Sequence, residues 1–246
     1  MVRHHAHARH ADAEASAPVH AVAFALNAGS AIDAASLIHV DAAPHNGRRL
    51  MLCVEPLEPS ERGLELAALA LRTIRDTFTA ATNLPAAAAL MKAFTAANAV
   101  LITENRPSAG CRWERRVYVG ATGIVLSGRD MIIAQVPPTE TMVVQDGRLY
   151  AFPELASWRT DYMPPTDESE PEPLGCREGT RPFLFRSEAA SGDVITFCSS
   201  ALARHLGRGD DEDLAPLLTG EPETTIDYLS DLAVEHEMDD AHAAVI

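Results

Sequence analysis

The stretch RRLMLCVEPLEPSERGLELAALAL, Arg48 to Leu71, changes its period half-way along. Arg48 to Glu55 is an almost unbroken apolar run of strand length, with the density of a buried β-strand. From Ser60 onward Leu64, Leu66, Ala67, Ala70, Leu71, Ile74 and Phe78 return on one helical face. Ser60, directly after Pro59, is placed to cap that helix. A buried strand that feeds an amphipathic helix belongs to a layered architecture of sheet and helix.

Upstream, HAVAFAL (20–26) and ASLIHVD (35–41) have the same strand density. APHNG separates the second of these from Arg48, so the opening reads as a meander. Downstream a second helix is expected from about Pro85 to Glu104. Its stripe of Leu90, Phe94, Ala97 and Leu101 reads as core rather than as a cofactor box. Four strands then follow as a consecutive antiparallel run: RRVYVGATGIVLS, RDMIIAQV, ETMVVQ and GRLYAF, with SGRD, PPT and QDGR as turn chemistry between them. Residues 161–175 are acidic and proline-rich and read as an exposed loop, in preference to a docking site for a basic partner. ASGDVITFCSSALARHLG (190–207) is a strand running into a short helix from about Ala201. A helical stretch near Leu214, a helix over roughly 224–236 and a last strand, AHAAVI, complete the chain. Helices grouped outside antiparallel strands make the fold class α+β.

Composition narrows the function. A chain of 246 residues with 47% hydrophobic content fits one large domain, 19–246, behind an N-terminal arm, 1–18, that reads as disordered. His4, His5, His7 and His10 of that arm can chelate a transition metal, but a solvated tail is the reading adopted. The net charge of −15, with no basic stripe, argues against nucleic acid and anionic membrane surfaces as partners. Four cysteines without a CxxC pair (Cys53, Cys111, Cys176, Cys198) indicate neither a zinc site nor a thioredoxin-like motif, and reduced thiols in a cytoplasm are the simplest reading. No apolar run reads as a membrane span or a signal peptide, so a cytosolic location is expected; a natural protein that continues past Ile246 into a further module stays open. Cys198, Ser199 and Ser200 sit at a strand-to-helix turn like that of a nucleophile elbow. The glycines of GxSxG are missing there, and His205 lies in the same short helix, so no catalytic residue is assigned.

Several segments, in order, carry a family resemblance. RRLMLCVEPLEPSERGLELAALAL, LMKAFTAANAVL with its pair Ala97-Asn98, GATGIVL, RDMIIAQVPPTETMVVQDGRLYAF, GDVITFCSSAL and MDDAHAAVI together resemble the PPM-type (type 2C) metal-dependent protein Ser/Thr phosphatases from about Ala21 to Ile246. The resemblance implies a four-layer α-β-β-α sandwich, two antiparallel sheets flanked by helices. It also implies a centre in which two Mg²⁺ or Mn²⁺ ions, held mainly by carboxylates, activate a bridging water against a phosphoryl group.

The positions that would hold those ions are the ones that differ. Ser200 stands where the family places a metal-binding aspartate, and Ala201 follows in place of glycine. Glu55 falls on the first acidic position and Pro56 on the glycine after it. Ala31-Ile32-Asp33 replaces Asn-Glu-Asp, no phosphate-holding arginine precedes it in ALNAGS, and Pro137-Pro138-Thr139-Glu140 replaces the Gly-Asp-Ser-Arg turn. Asp239 matches a metal-binding aspartate, Glu55 is an imperfect second, and Asp33 a possible outer-shell remnant. For Asp239 a turn residue beside Asp240 is an equal reading; for Glu55 a solvated or salt-bridged strand end is preferred. The expectation is therefore a catalytically inactive, pseudophosphatase-like domain without a cofactor, acting by binding a kinase, phosphatase or phosphoprotein. The alternatives are a weak or altered Mn- or Mg-dependent phosphatase and a small-ligand pocket in the former cleft.

Overall fold

The computed structural model describes residues 19–58, 60–106, 116–152, 172–206 and 216–246. In chain order its strands are β1 (Val22–Asn27), β2 (Ser30–Ala31), β3 (Ile38–Val40), β4 (Arg49–Pro56), β5 (Val119–Ser127), β6 (Asp130–Val136), β7 (Glu140–Gln145), β8 (Arg148–Phe152), β9 (Phe183–Glu188), β10 (Val194–Cys198) and β11 (Ala241–Val245). The helices are α1 (Glu61–Ala80), α2 (Ala86–Asn105), α3 (Ser200–Leu206) and α4 (Pro222–Glu235). One sheet has the order β2-β1-β11-β10-β7-β8 and the other β3-β4-β5-β6-β9; every pairing is antiparallel. α1 and α2 cover the outer face of the five-stranded sheet, and α3 and α4 that of the six-stranded sheet. This is the expected four-layer sandwich.

β4 shows why its sequence is apolar throughout. Leu52 and its ladder partner Gly123 face Leu90 and Phe94 of α2, whereas Cys53 and Glu55, one residue out of phase, face the other sheet. Both faces are covered, so Arg49 to Glu55 is buried along its whole length and alternation gives way to a continuous run. Pro56 costs no ladder bond: its partner Val119 exchanges both main-chain bonds with Leu174 instead, its oxygen accepting the Leu174 N–H at 2.8 Å and its own N–H donating to Leu174 O at 3.1 Å.

α1 starts as its sequence requires. Ser60 Oγ accepts the Gly63 N–H at 2.9 Å, and Gly63, Leu66, Ala67, Ala70, Leu71, Ile74 and Phe78 form the buried stripe. Ser60→Ala should therefore lower the unfolding free energy by about 1 kcal/mol in a urea titration, without changing the m-value; an unchanged midpoint would show that the cap is dispensable. α2 is long and apolar enough to cross a membrane by length and composition alone, a match the sequence reading did not credit. Its Leu90, Phe94, Ala97 and Leu101 are instead fully buried. Asn98, also buried, binds backbone: Nδ2 donates to Arg177 O at 2.9 Å and Oδ1 accepts Gly175 N–H at 2.8 Å.

Four expectations need correction. The opening strands do not form a meander: β1 pairs with β11, while β3 pairs with β4 in the other sheet. Between them Asp33 caps a 3-10 turn, Ala34–Ser36, that takes up the start of the expected strand at 35–41 and carries the chain across. Nor are the strands from β5 to β8 one consecutive run. β6 pairs back to β5 and out to β9, and Pro137-Pro138 takes the chain over to β7 in the opposite sheet. Two residues without an N–H end the ladder where a turn was expected. Gly120 makes room for that crossover, because a Cβ there would lie 2.5 Å from Pro138 Cδ. β9 was missed altogether, an edge strand whose outward residues are polar or half-exposed. Finally, Pro173, Leu174 and Gly175, at the end of the segment read as exposed, are buried, with Leu174 bridged to Val119. The arm 1–18, most of the acidic segment (161–171) and Leu214 itself lie outside the described residues, while 216–218, just after Leu214, are helical.

Candidate functional site

The two sheets face each other across a seam that turns polar at one end. From the five-stranded sheet come Cys53 and Glu55 on β4 and Thr122 on β5; from the other side come Thr139, Ser199, Ser200 and His242. Thr122 Oγ1 and Thr139 Oγ1 share a hydrogen bond of 2.9 Å across the seam. Ser199 donates its N–H to His242 O at 2.9 Å and accepts the His242 N–H on Oγ at 3.3 Å, which extends the β10–β11 pairing by one residue.

The strongest contact of the seam joins two of the residues singled out from sequence. Glu55 accepts the Ser200 N–H at 3.0 Å on Oε1 and 2.9 Å on Oε2, and the Ser200 hydroxyl donates to Oε1 at 2.6 Å. Ser200 is the first residue of α3, so a carboxylate from one sheet caps a helix that rides on the other. Burial pushes the Glu55 carboxyl up to about 7. The Ser200 bonds and the charge of Arg204 pull it down, and Glu140 adds to the rise. Cys53, fully buried beside it, is raised well above the ordinary thiol range by burial first and then by Glu55 and Cys198. A thiol held protonated is a poor nucleophile.

The other singled-out residues have backbone partners. Asp33 Oδ1 accepts Ala35 N–H at 3.0 Å as the cap of its turn. Asp239 accepts Gly29 N–H at 2.9 Å on its main-chain oxygen, and Asp240 Oδ1 accepts Ala28 N–H at 3.4 Å. Asp240 is pushed up by burial, against that bond, and by Asp239. Pro56 ends β4 as described. The His205 ring lies against that of His236, with centroids 3.9 Å apart.

The donor set does not fit a dinuclear centre. Among the described residues no group of three or more His, Cys, Asp or Glu side chains is arranged to hold an ion. Glu55, the carboxylate best placed by the resemblance, is already occupied by Ser200 on both oxygens. Hard divalent cations need several anionic oxygens, and a serine hydroxyl bound to that carboxylate adds none.

No protein-family model matches the chain, and no curated sequence is significantly similar to it. Solved structures are. PppA of Pseudomonas aeruginosa superimposes with a TM-score of 0.69 at 16% identity, over 94% of this chain and 97% of that one. The chain has the PPM phosphatase fold. The PPM Ser-Thr phosphatase MsPP of Mycobacterium smegmatis matches with a TM-score of 0.64 at 16% identity, over 94% and 98% of the two chains. The Ser/Thr phosphatase Stp1 of Staphylococcus aureus matches with 0.69 at 16% identity, over 94% of each. Against this PPM fold, His242 is a buried polar residue that sequence reasoning missed. It is 3% exposed, its Nε2 has no hydrogen-bond partner among the described residues, and burial pushes its imidazole down to about 4. A lone histidine in the apolar strand AHAAVI was its one visible signal.

Proposed function

We propose that this PPM-fold domain does not hydrolyse phosphate esters and acts as a protein-binding, regulatory module. The observation that carries the reading is the Glu55–Ser200 contact, in which a carboxylate at a family metal position is committed to a helix cap supplied by its former co-ligand position. The missing clamp arginine before Asp33 favours recognition of a protein surface over capture of a phosphoryl group. One structural neighbour, PppA, is described as a key regulatory component of T6SS, which supports regulation as a role for the fold. The partner is a kinase, a phosphatase or a phosphoprotein.

The test is calorimetric titration of the metal-stripped protein with Mn²⁺, paired with an aryl-phosphate assay. No binding is expected with a dissociation constant below about 1 mM, equivalent to about −4 kcal/mol, and no Mn²⁺-dependent hydrolysis. Tight binding and turnover, both abolished by Asp239→Ala, would restore the metal-dependent phosphatase instead.

A further inference from the structure

The five-stranded sheet ends on an open strand. Its order stops at β9, and among the described residues nothing pairs with the other side of that strand. β9 is the longest of the four edge strands: β2, β3 and β8 have two, three and five residues to its six. It also leaves two large apolar side chains in solvent, Phe183 at 36% and Leu184 at 43% exposure. An unpaired edge of this length is a template for a further strand. We propose that β9 pairs antiparallel with β9 of a second copy of this chain, about a twofold axis at Ser187, so that two five-stranded sheets continue as one.

The main chain is set up for this. Ala189 donates its N–H to Arg129 O at 2.7 Å, in register with the β6–β9 pairs that precede it. Hydrogen-bonded and non-hydrogen-bonded pairs alternate along an antiparallel ladder. Phe183, Phe185 and Ser187 therefore turn their main-chain groups to β6, and Leu184, Arg186 and Glu188 turn theirs to the open side. A twofold axis at Ser187 sets Arg186 opposite the partner's Glu188, and Glu188 opposite the partner's Arg186. All four residues have their N–H and C=O on the facing edges, so each pair exchanges both main-chain bonds.

Charge selects this register. An axis at Arg186 would set arginine on arginine, and one at Phe185 would set Arg186 against Leu184; only Arg186-Ser187-Glu188 is complementary to itself when reversed. Within one copy Asp130 and Glu188 face each other across β6 and β9, an unfavourable pair of like charges. Arg186 holds Asp130 at 2.6 Å, whereas Arg129 reaches Glu188 only at 3.8 Å. The partner's Arg186 supplies Glu188 with a second cation. Side-chain size agrees, because Leu184 and Phe185 come opposite the partner's Ala190 and Ala189. Two chains of net charge −15 repel each other over most of their surface, but the exposed Arg129, Arg181 and Arg186 lie along this edge. The inference does not rest on the function proposed above, since no residue of the seam takes part in it.

Sedimentation equilibrium of the full chain at physiological ionic strength tests it. A reversible dimer with a dissociation constant below about 0.1 mM is expected. Arg186→Glu sets like charges at both cross-strand pairs and should weaken the dimer by about tenfold or more. Adding Glu188→Arg to that variant restores opposite charges in the swapped sense and should recover most of the loss, which a merely structural role for Arg186 would not allow. Arg186→Pro should give a folded monomer, because the N–H it removes points away from β6 and the β6–β9 ladder keeps its bonds. Circular dichroism checks that each variant is folded. A wild-type chain that stays monomeric up to about 0.1 mM, a dimer that folded Arg186→Pro leaves intact, or a loss in Arg186→Glu that the charge swap does not recover, overturns the proposal.

Discussion

Glu55→Gln should remove the destabilising contribution that Glu55 makes to the native state as pH rises from about 4.5 to about 7. The native state holds a proton on Glu55 up to about 7, while the unfolded chain releases it near the ordinary value of 4.5. Between those limits the native state binds more protons, so stability is full below about 4.5 and falls as pH rises through 7. The interval corresponds to about 3 kcal/mol. Glutamine keeps an acceptor for the Ser200 N–H and hydroxyl but does not titrate. The difference in unfolding free energy between variant and wild type should therefore move by about 3 kcal/mol in favour of the variant between pH 4.5 and pH 8. Urea unfolding at a series of pH values measures it. Superimposable profiles would mean that the carboxyl is not held protonated by its surroundings.

The second large effect has the opposite sign. Burial lowers His242 from 6.5 to about 4, so in that interval it is the unfolded chain that binds the extra proton. Stability from this residue is present above 6.5 and is lost as pH falls towards 4, again by about 3 kcal/mol. His242→Leu removes the titrating ring and leaves the main-chain bonds with Ser199 in place. The variant should resist acid better than the wild type, with a gap that widens from pH 7 to pH 4. In the native protein the two slopes oppose each other across nearly the same interval, so its own profile should be flatter than that of either variant. A steep wild-type profile that His242→Leu leaves unaltered would exclude this account.

How the site was legible differs from residue to residue. Glu55 and Ser200 were both reached through the family resemblance, as positions with altered ligands. Their mutual contact was not, because 145 residues separate them and it forms only when β4 and β10 come to face one another in different sheets. The preferred reading of Glu55 as a solvated or salt-bridged strand end gives way to a buried helix cap, since the β4 phase that turns Leu52 to α2 turns Glu55 inward. Asp33 was singled out as an outer-shell remnant, and its side chain caps the turn that follows it.

The sequence by itself determined the local elements: the inward stripe and serine cap of α1, the doubly buried β4, the turns at Gly128 and Gly147 and the short strand before Ser200. Each depends on residues within a few positions of one another, where side-chain period and capping chemistry act directly. Only the tertiary structure decided which sheet each strand joins, that β1 meets β11 across the length of the chain, that Pro137-Pro138 is a passage between layers, and that Glu55 closes on Ser200. Those outcomes depend on burying both faces of two sheets at once, a condition on the assembled layers that no short window of sequence contains.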